Sequence, residues 1–387
     1  MDVWPALPLV ILGGVSESSM DNAIARLEHS DRICQIQIDL NRYTTRIDEL
    51  WTAMQVPFPE LVVLHLSFRD LSRGPAIPDP FLGGSVQRLR YLSLTSISFP
   101  GLPKLLLSGA QLVYLCLLHV PHSGYISPDA MATCLPMLTS LESFQLEFDH
   151  FQAYPDQQSR HPPPPTRSVL PALSRFWFKG VNEYLEDLVS QIDAPRLYRM
   201  STTLLNNIAF DTPELRQFIS RTPRFGAYDE ARLIFYSHQA LVRLQSHPEP
   251  SDHGMVEIKI ICRVPNHQFS SLAQLCALPL RPLLTMENLY IYENPYSPPD
   301  WKDDIGLDLL RAFKAVKNLH LSKKFAPRIA PALQGLTGAR TIEVLPALKN
   351  ILLEKFRPAE PVLGGIAQFV SARQLINQPV TISFWDR

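Results

Sequence analysis

The sequence predicts an α/β fold made by repeating one strand-and-return unit. Three observations carry that expectation: an apolar triplet that recurs in register, a nearly constant step between copies, and helical periodicity in the returns. The clearest copies are Leu61-x-x-Leu64-x-Leu66, Leu89-x-x-Leu92-x-Leu94 and Leu112-x-x-Leu115-x-Leu117. Ile33-x-x-Ile36-x-Ile38 precedes them, and Leu141-x-x-Phe144-x-Leu146 and Leu173-x-x-Phe176-x-Phe178 follow. Met286-x-x-Leu289-x-Ile291 and Val316-x-x-Leu319-x-Leu321 repeat the pattern near the C-terminus. The middle positions 36, 64, 92, 115, 144 and 176 step by 28, 28, 23, 29 and 32 residues, and 289 to 319 is a step of 30.

Residues two apart on a strand share a face, so Leu92 and Leu94 point into the core while Tyr91, Ser93 and Thr95 point out. One such strand cannot bury its apolar face alone. Parallel neighbours make a continuous wall, and the returns cover its other side. With a period near that of leucine-rich repeats, the expected architecture is an irregular leucine-rich-repeat solenoid. This is a horseshoe with a parallel sheet on one face and helices on the other. Residues 1–30 are read as an N-terminal capping segment and residues 31–387 as the repeat array.

In chain order, the first return, Tyr43 to Met54, places Ile47, Leu50 and Met54 at helical spacing. Asn182 to Ile192 does the same with Leu185, Leu188, Val189 and Ile192. Pro213 sits at a first helical turn behind Asp211 and Thr212 and opens a helix to about Arg221. Leu307 to Lys314 and Pro361 to Leu375 are further helical returns. Between Leu197 and Ser271 the copies blur: Leu197-x-x-Met200-x-Thr202 is a weak unit, and Leu233 to Tyr236 and Met255 to Val264 are strands. Lys349 to Glu354 and Val380 to Trp385 are the last two strands expected. The asparagine that follows the strand in such repeats occurs at Asn41 and Asn294, while Arg69, Ile97, Val120 or Lys324 holds its place elsewhere. Three insertions interrupt the array, near 152–169, 247–254 and 294–302, the first carrying Pro162-Pro163-Pro164-Pro165.

Composition narrows the function. Net charge is −1, from 36 basic and 37 acidic residues, which gives no reason to expect nucleic acid or an anionic membrane as partner. The five cysteines, Cys34, Cys116, Cys134, Cys262 and Cys276, are odd in number and scattered, as expected of free thiols in a reducing compartment. The apolar stretch Val3 to Leu12 is too short to span a bilayer, follows Asp2, and contains Pro5 and Pro8. An intracellular protein, cytoplasmic or nuclear, is expected.

No catalytic set is expected. The chain has no nucleophile elbow and no phosphate loop, and Gly83-Gly84 and Gly364-Gly365 fall short of a dinucleotide fingerprint. Asp303-Asp304 and Glu186-Asp187 are read as solvated surface. Cys116, His119 and His122, with Cys134 nearby, have ligand spacing, but Cys116 alternates outward and Val120-Pro121 begins a turn. No metal or cofactor is therefore expected. The outward strand positions are more informative. Tyr91, Tyr114, Trp177, Tyr290 and Tyr292 are the expected partner-binding residues, with His65, Cys116, Gln145 and His320 on the same face. Tyrosine and tryptophan bury much area at small entropic cost and dominate interface energetics.

Several longer strings carry a resemblance. They include Phe58-Pro59-Glu60-Leu61, Phe81-Leu82-Gly83-Gly84-Ser85, Pro103-Lys104-Leu105-Leu106-Leu107-Ser108 and His122-Ser123-Gly124-Tyr125-Ile126-Ser127-Pro128. The Pro162 to Leu173 stretch, Phe176-Trp177-Phe178-Lys179-Gly180-Val181, Phe218-Ile219-Ser220-Arg221-Thr222-Pro223 and Phe325 to Leu333 join them. Together they resemble basidiomycete fungal F-box-like proteins with leucine-rich repeats, over essentially the whole chain. The resemblance implies substrate recognition for a cullin-type ubiquitin ligase, an F-box holding a Skp-type adaptor while the repeats hold the target. It also implies an F-box-like helical segment ahead of the position matching Val3 to Pro8, where this sequence starts. An adaptor is expected only if such a segment stands upstream; otherwise the chain is a free-standing repeat scaffold or recognition protein.

Overall fold

The computed structural model describes residues 7–69, 74–149, 166–205, 212–226, 228–246, 254–262, 267–277, 283, 285–294, 307–336, 338–354 and 360–385. The insertions expected near 152–169, 247–254 and 294–302 lie mostly outside these residues. The chain divides into two compact units, Met1–Leu197 and Tyr198–Arg387.

In the first unit the strands are β1 (Leu9–Val15), β2 (Ile33–Leu40), β3 (Val63–Phe68), β4 (Tyr91–Thr95), β5 (Tyr114–Val120), β6 (Ser143–Phe148) and β8 (Arg175–Gly180). They pair in chain order and are all parallel. Parallel neighbours need a crossover of a dozen or more residues, which the repeat step supplies. The returns carry α1 (Met20–Leu27), α2 (Ile47–Ala53), α3 (Leu102–Leu106), α4 (Pro128–Cys134) and α5 (Asn182–Gln191). Ser127 caps α4 by accepting a hydrogen bond from the Ala130 N–H, with Pro128 at the first helical position. A separate two-stranded pair joins β7 (Ser168–Val169) to β9 (Ile192–Asp193). The segment read as a cap thus supplies β1, in parallel register with β2, and α1. The first insertion ends in a strand, not a loop, because the Ser168 and Val169 backbone finds partners beside α5.

The triplet sets the core. Leu64, Leu66, Leu92, Leu94, Leu115, Leu117, Phe144, Leu146, Phe176 and Phe178 are buried, together with Leu61, Leu89, Leu112, Leu141 and Leu173. Leu50, Leu102, Met131, Leu185 and Leu188 of the returns are buried with them. Where the triplet holds phenylalanine, Phe144 and Phe176 stack with centroids 5.5 Å apart. The Gly83-Gly84 pair lies in a turn where both residues take positive φ, and Gly83 packs so close to Pro57 that no Cβ fits.

The second unit holds β10 (Arg199–Leu205), β11 (Glu230–Phe235), β12 (Gln239–Gln245), β13 (Met255–Ile261), β14 (Asn288–Glu293), β15 (Asn318–Leu321), β16 (Asn350–Glu354) and β17 (Thr381–Trp385). Its described helices include α6 (Pro213–Arg221), α7 (His267–Ala277), α8 (Asp308–Arg311), α9 (Ala326–Gln334) and α10 (Glu360–Leu375). From β14 to β17 the strands again run parallel in chain order. The blurred region departs from the all-parallel expectation. There β12 is antiparallel to both β11 and β13, and β13 lies beside β10. The reason is loop length: three residues separate β11 from β12, enough for a hairpin and far too few for a parallel crossover. The fold is therefore mixed α/β with a large, mostly parallel sheet, and the described strands close no barrel. Among the described residues no helix is long and apolar enough to cross a membrane.

Candidate functional site

The triplet spacing itself decides which side chains face outward. Its first and second apolar positions are three apart and both are buried, so the two residues between them must share the other face. The backbone does this with a recurring device: one carbonyl accepts two successive N–H groups of the next strand. Val62 O takes the Arg90 and Tyr91 N–H groups, Arg90 O takes those of Val113 and Tyr114, and Val113 O takes those of Glu142 and Ser143. In the second unit Asp229 O, Glu287 O and Lys317 O repeat it.

Rows therefore run across the sheet. In the first unit one row is Gln35, Val63, Tyr91, Tyr114, Ser143 and Arg175. The next is Gln37, His65, Ser93, Cys116, Gln145 and Trp177. Tyr91, Tyr114 and Trp177 are half-buried on the outward face, as the alternation predicts. The Tyr91 and Tyr114 rings lie 5.9 Å apart, and burial raises the Tyr91 hydroxyl above its usual range. Arg175 reaches over buried Ser143 so that its guanidinium sits 5.6 Å from the Tyr114 ring, a cation–π contact, with Nη2 3.4 Å from the hydroxyl. Around the two tyrosines lies an open depression of about 540 Å³.

The second unit arranges its outward face differently. Two residues after the triplet's first position, where the first unit has Tyr91 and Tyr114, it carries Asn288, Asn318 and Asn350. Asn318 donates to Asn288 over 2.8 Å, Asn350 to Asn318 over 2.7 Å, and Thr381 to Asn350 over 2.6 Å. The row beyond holds Ser201, Glu257, Arg243, Arg232, Tyr290 and His320. Arg243 bonds Glu257 over 2.6 Å, and Arg232 pairs with Glu230. Tyr290 stacks on His320 at 3.9 Å, and Trp385 meets both rings edge-on. Burial holds the His320 imidazole down at about 4 and raises the Tyr290 hydroxyl. Tyr290 is thus packed largely by its own unit, with Tyr292 half-buried one row further along.

Sequence reasoning did not single out Arg90, Arg175 or Trp385. The three-residue step between the first two leucines marks Arg90 as outward, and alternation past Ile382 and Phe384 marks Trp385. The contact of Arg175 with Tyr114 spans two strands and has no mark in the sequence.

The residues with ligand spacing diverge. The Cys116 thiol faces Gln145, and burial, followed by nearby Glu147, raises its pKa. His119 lies 3.7 Å from Asp149, whereas Cys134 is buried against the Met131 carbonyl with its thiol raised to about 12. Among the described residues no three His, Cys, Asp or Glu side chains converge on a metal position. All five cysteines are free, three buried and two partly exposed. Glu186, expected on a helix surface, is buried inside α5 because the helix is covered on more than one side, while Asp303-Asp304 lies outside the described residues. Compared with known families and curated proteins, the chain matches no family model and no curated sequence.

Proposed function

We propose that the chain is a leucine-rich-repeat-like solenoid that binds another protein through the outward face of its sheet. The observation that carries this reading is the row of Val63, Tyr91 and Tyr114, flanked by Arg175, around a depression that is open among the described residues. Tyrosine, tryptophan and arginine are the side chains that concentrate binding energy at protein interfaces, above all where they are already held in place. Trp177 extends the surface one row further and two strands along. Tyr290 and Tyr292 of the second unit belong to the same proposal, with Tyr290 the more self-packed.

By resemblance the bound protein is a substrate held for a cullin-type ubiquitin ligase. Free-standing recognition without a ligase is the alternative. Affinity capture from cells separates them. Recovery of a specific protein that is lost on Tyr114→Ala with Trp177→Ala, at unchanged melting temperature, supports the binding face. A Skp-type adaptor or cullin in the same capture supports the ligase role. A captured protein without either removes the ligase link, and capture indifferent to both substitutions overturns the binding face.

A further inference from the structure

We infer that the depression beside Tyr91 and Tyr114 is a subsite for an acidic residue of an extended peptide segment, with Arg90 as its counter-ion. This rests on the proposed protein-binding face and adds the chemistry of the occupant. The cations of this region are distinguished by their partners. Arg88 is ion-paired with Glu60, and Arg69 and His65 each stand 3.8 Å from Asp39. Arg175 lies on the Tyr114 ring. Arg90 lines the depression, is exposed, and has no carboxylate partner among the described residues.

Among the described residues no acidic side chain lines the depression. Its walls are the tyrosine rings with Val62, Val63 and Val113, which lower the local dielectric and strengthen an ion pair formed against them. The planar guanidinium suits a carboxylate through two parallel hydrogen bonds. Gln35 and Gln37 add amide donors and acceptors for a peptide backbone. About 540 Å³ accommodates one acidic side chain and an apolar neighbour, not a folded surface. A polyanion fits poorly, since Asp39 stands at the next outward position beyond Gln37 on β2.

The test is selection of a random displayed dodecapeptide library on the full chain, followed by affinity measurement of the selected peptides. Enrichment of Asp or Glu next to an apolar residue is expected. Replacing that acid by its amide, or Arg90→Gln in the protein, is expected to weaken binding at least tenfold. The two changes together should cost little more than either alone, and affinity should fall as salt rises. Because the Arg90 side chain is exposed, Arg90→Gln should melt with the wild type. Selected peptides without an acidic residue, or ones that bind Arg90→Gln equally well, overturn the subsite. If those same peptides still require Tyr114 and Trp177, the outward-face reading stands without it. A library that yields no binder, or binders indifferent to every outward-face substitution, overturns both.

Discussion

At the scale of single residues, an outward position can serve a partner or the protein's own packing. His320 shows the second case. It is nearly buried on the outward row, stacked on Tyr290 and met edge-on by Trp385, and its Nδ1 has no hydrogen-bond partner. Its folded pKa of about 4 lies below the ordinary 6.5, so between these values the unfolded chain binds more protons than the folded one. Stability from this residue is present above about pH 6.5 and is lost as pH falls toward 4, by on the order of 2 kcal/mol. Urea denaturation of wild type and His320→Phe at pH 7 and pH 4.5 checks this. The phenylalanine variant should lose less stability on acidification, and equal losses would contradict the assignment. On the proposed function Tyr91, Tyr114 and Arg90 are the first case, since they line open space.

At the scale of elements, the returns hold the sheet by more than apolar burial. Arg373 of α10 is fully buried, and its guanidinium donates to the carbonyls of Thr341, Leu345, Pro346 and Leu348 over 3.2–3.4 Å. It thereby fastens the helix to the turn that leads into β16, and burial pulls its pKa down. Arg373→Met should destabilise the protein by about 2–4 kcal/mol in chemical denaturation, because four carbonyls, three of them in buried contacts, lose a charged donor. A change below about 0.5 kcal/mol would contradict that role. Nothing in the sequence marks this arginine, whose partners are backbone atoms some thirty residues away. Legibility followed locality: α6 begins at Pro213 and ends at Arg221, as the proline at its first turn predicts, while Thr212 makes no side-chain capping bond. By contrast β12 was missed, since Ala240 to Leu244 lacks the triplet spacing and is specified by its hairpin partner Glu230–Phe235. The asparagine ladder was also readable, two residues after Met286, Val316 and Leu348, but it starts the strand where the consensus asparagine follows it.

At the scale of the whole molecule, both units build parallel strands from the same triplet, and the buried face was legible wherever the triplet stands because hydrophobic spacing is a local property. The outward face was legible only in direction. Alternation placed Tyr91, Tyr114, Trp177, Tyr290 and Tyr292 outward, yet which of them the protein covers depends on contacts between strands that sequence spacing does not encode. The central claim is that the outward face, not the helical returns, meets the partner. Hydroxyl-radical footprinting of the chain, alone and with its captured partner, reads side-chain exposure directly. Tyr91, Tyr114 and Trp177 should become protected, while Tyr43 and Met137, exposed on the connections between strands, should react as before. Protection of Tyr43 and Met137 with unchanged reactivity at Tyr91, Tyr114 and Trp177 would contradict the account.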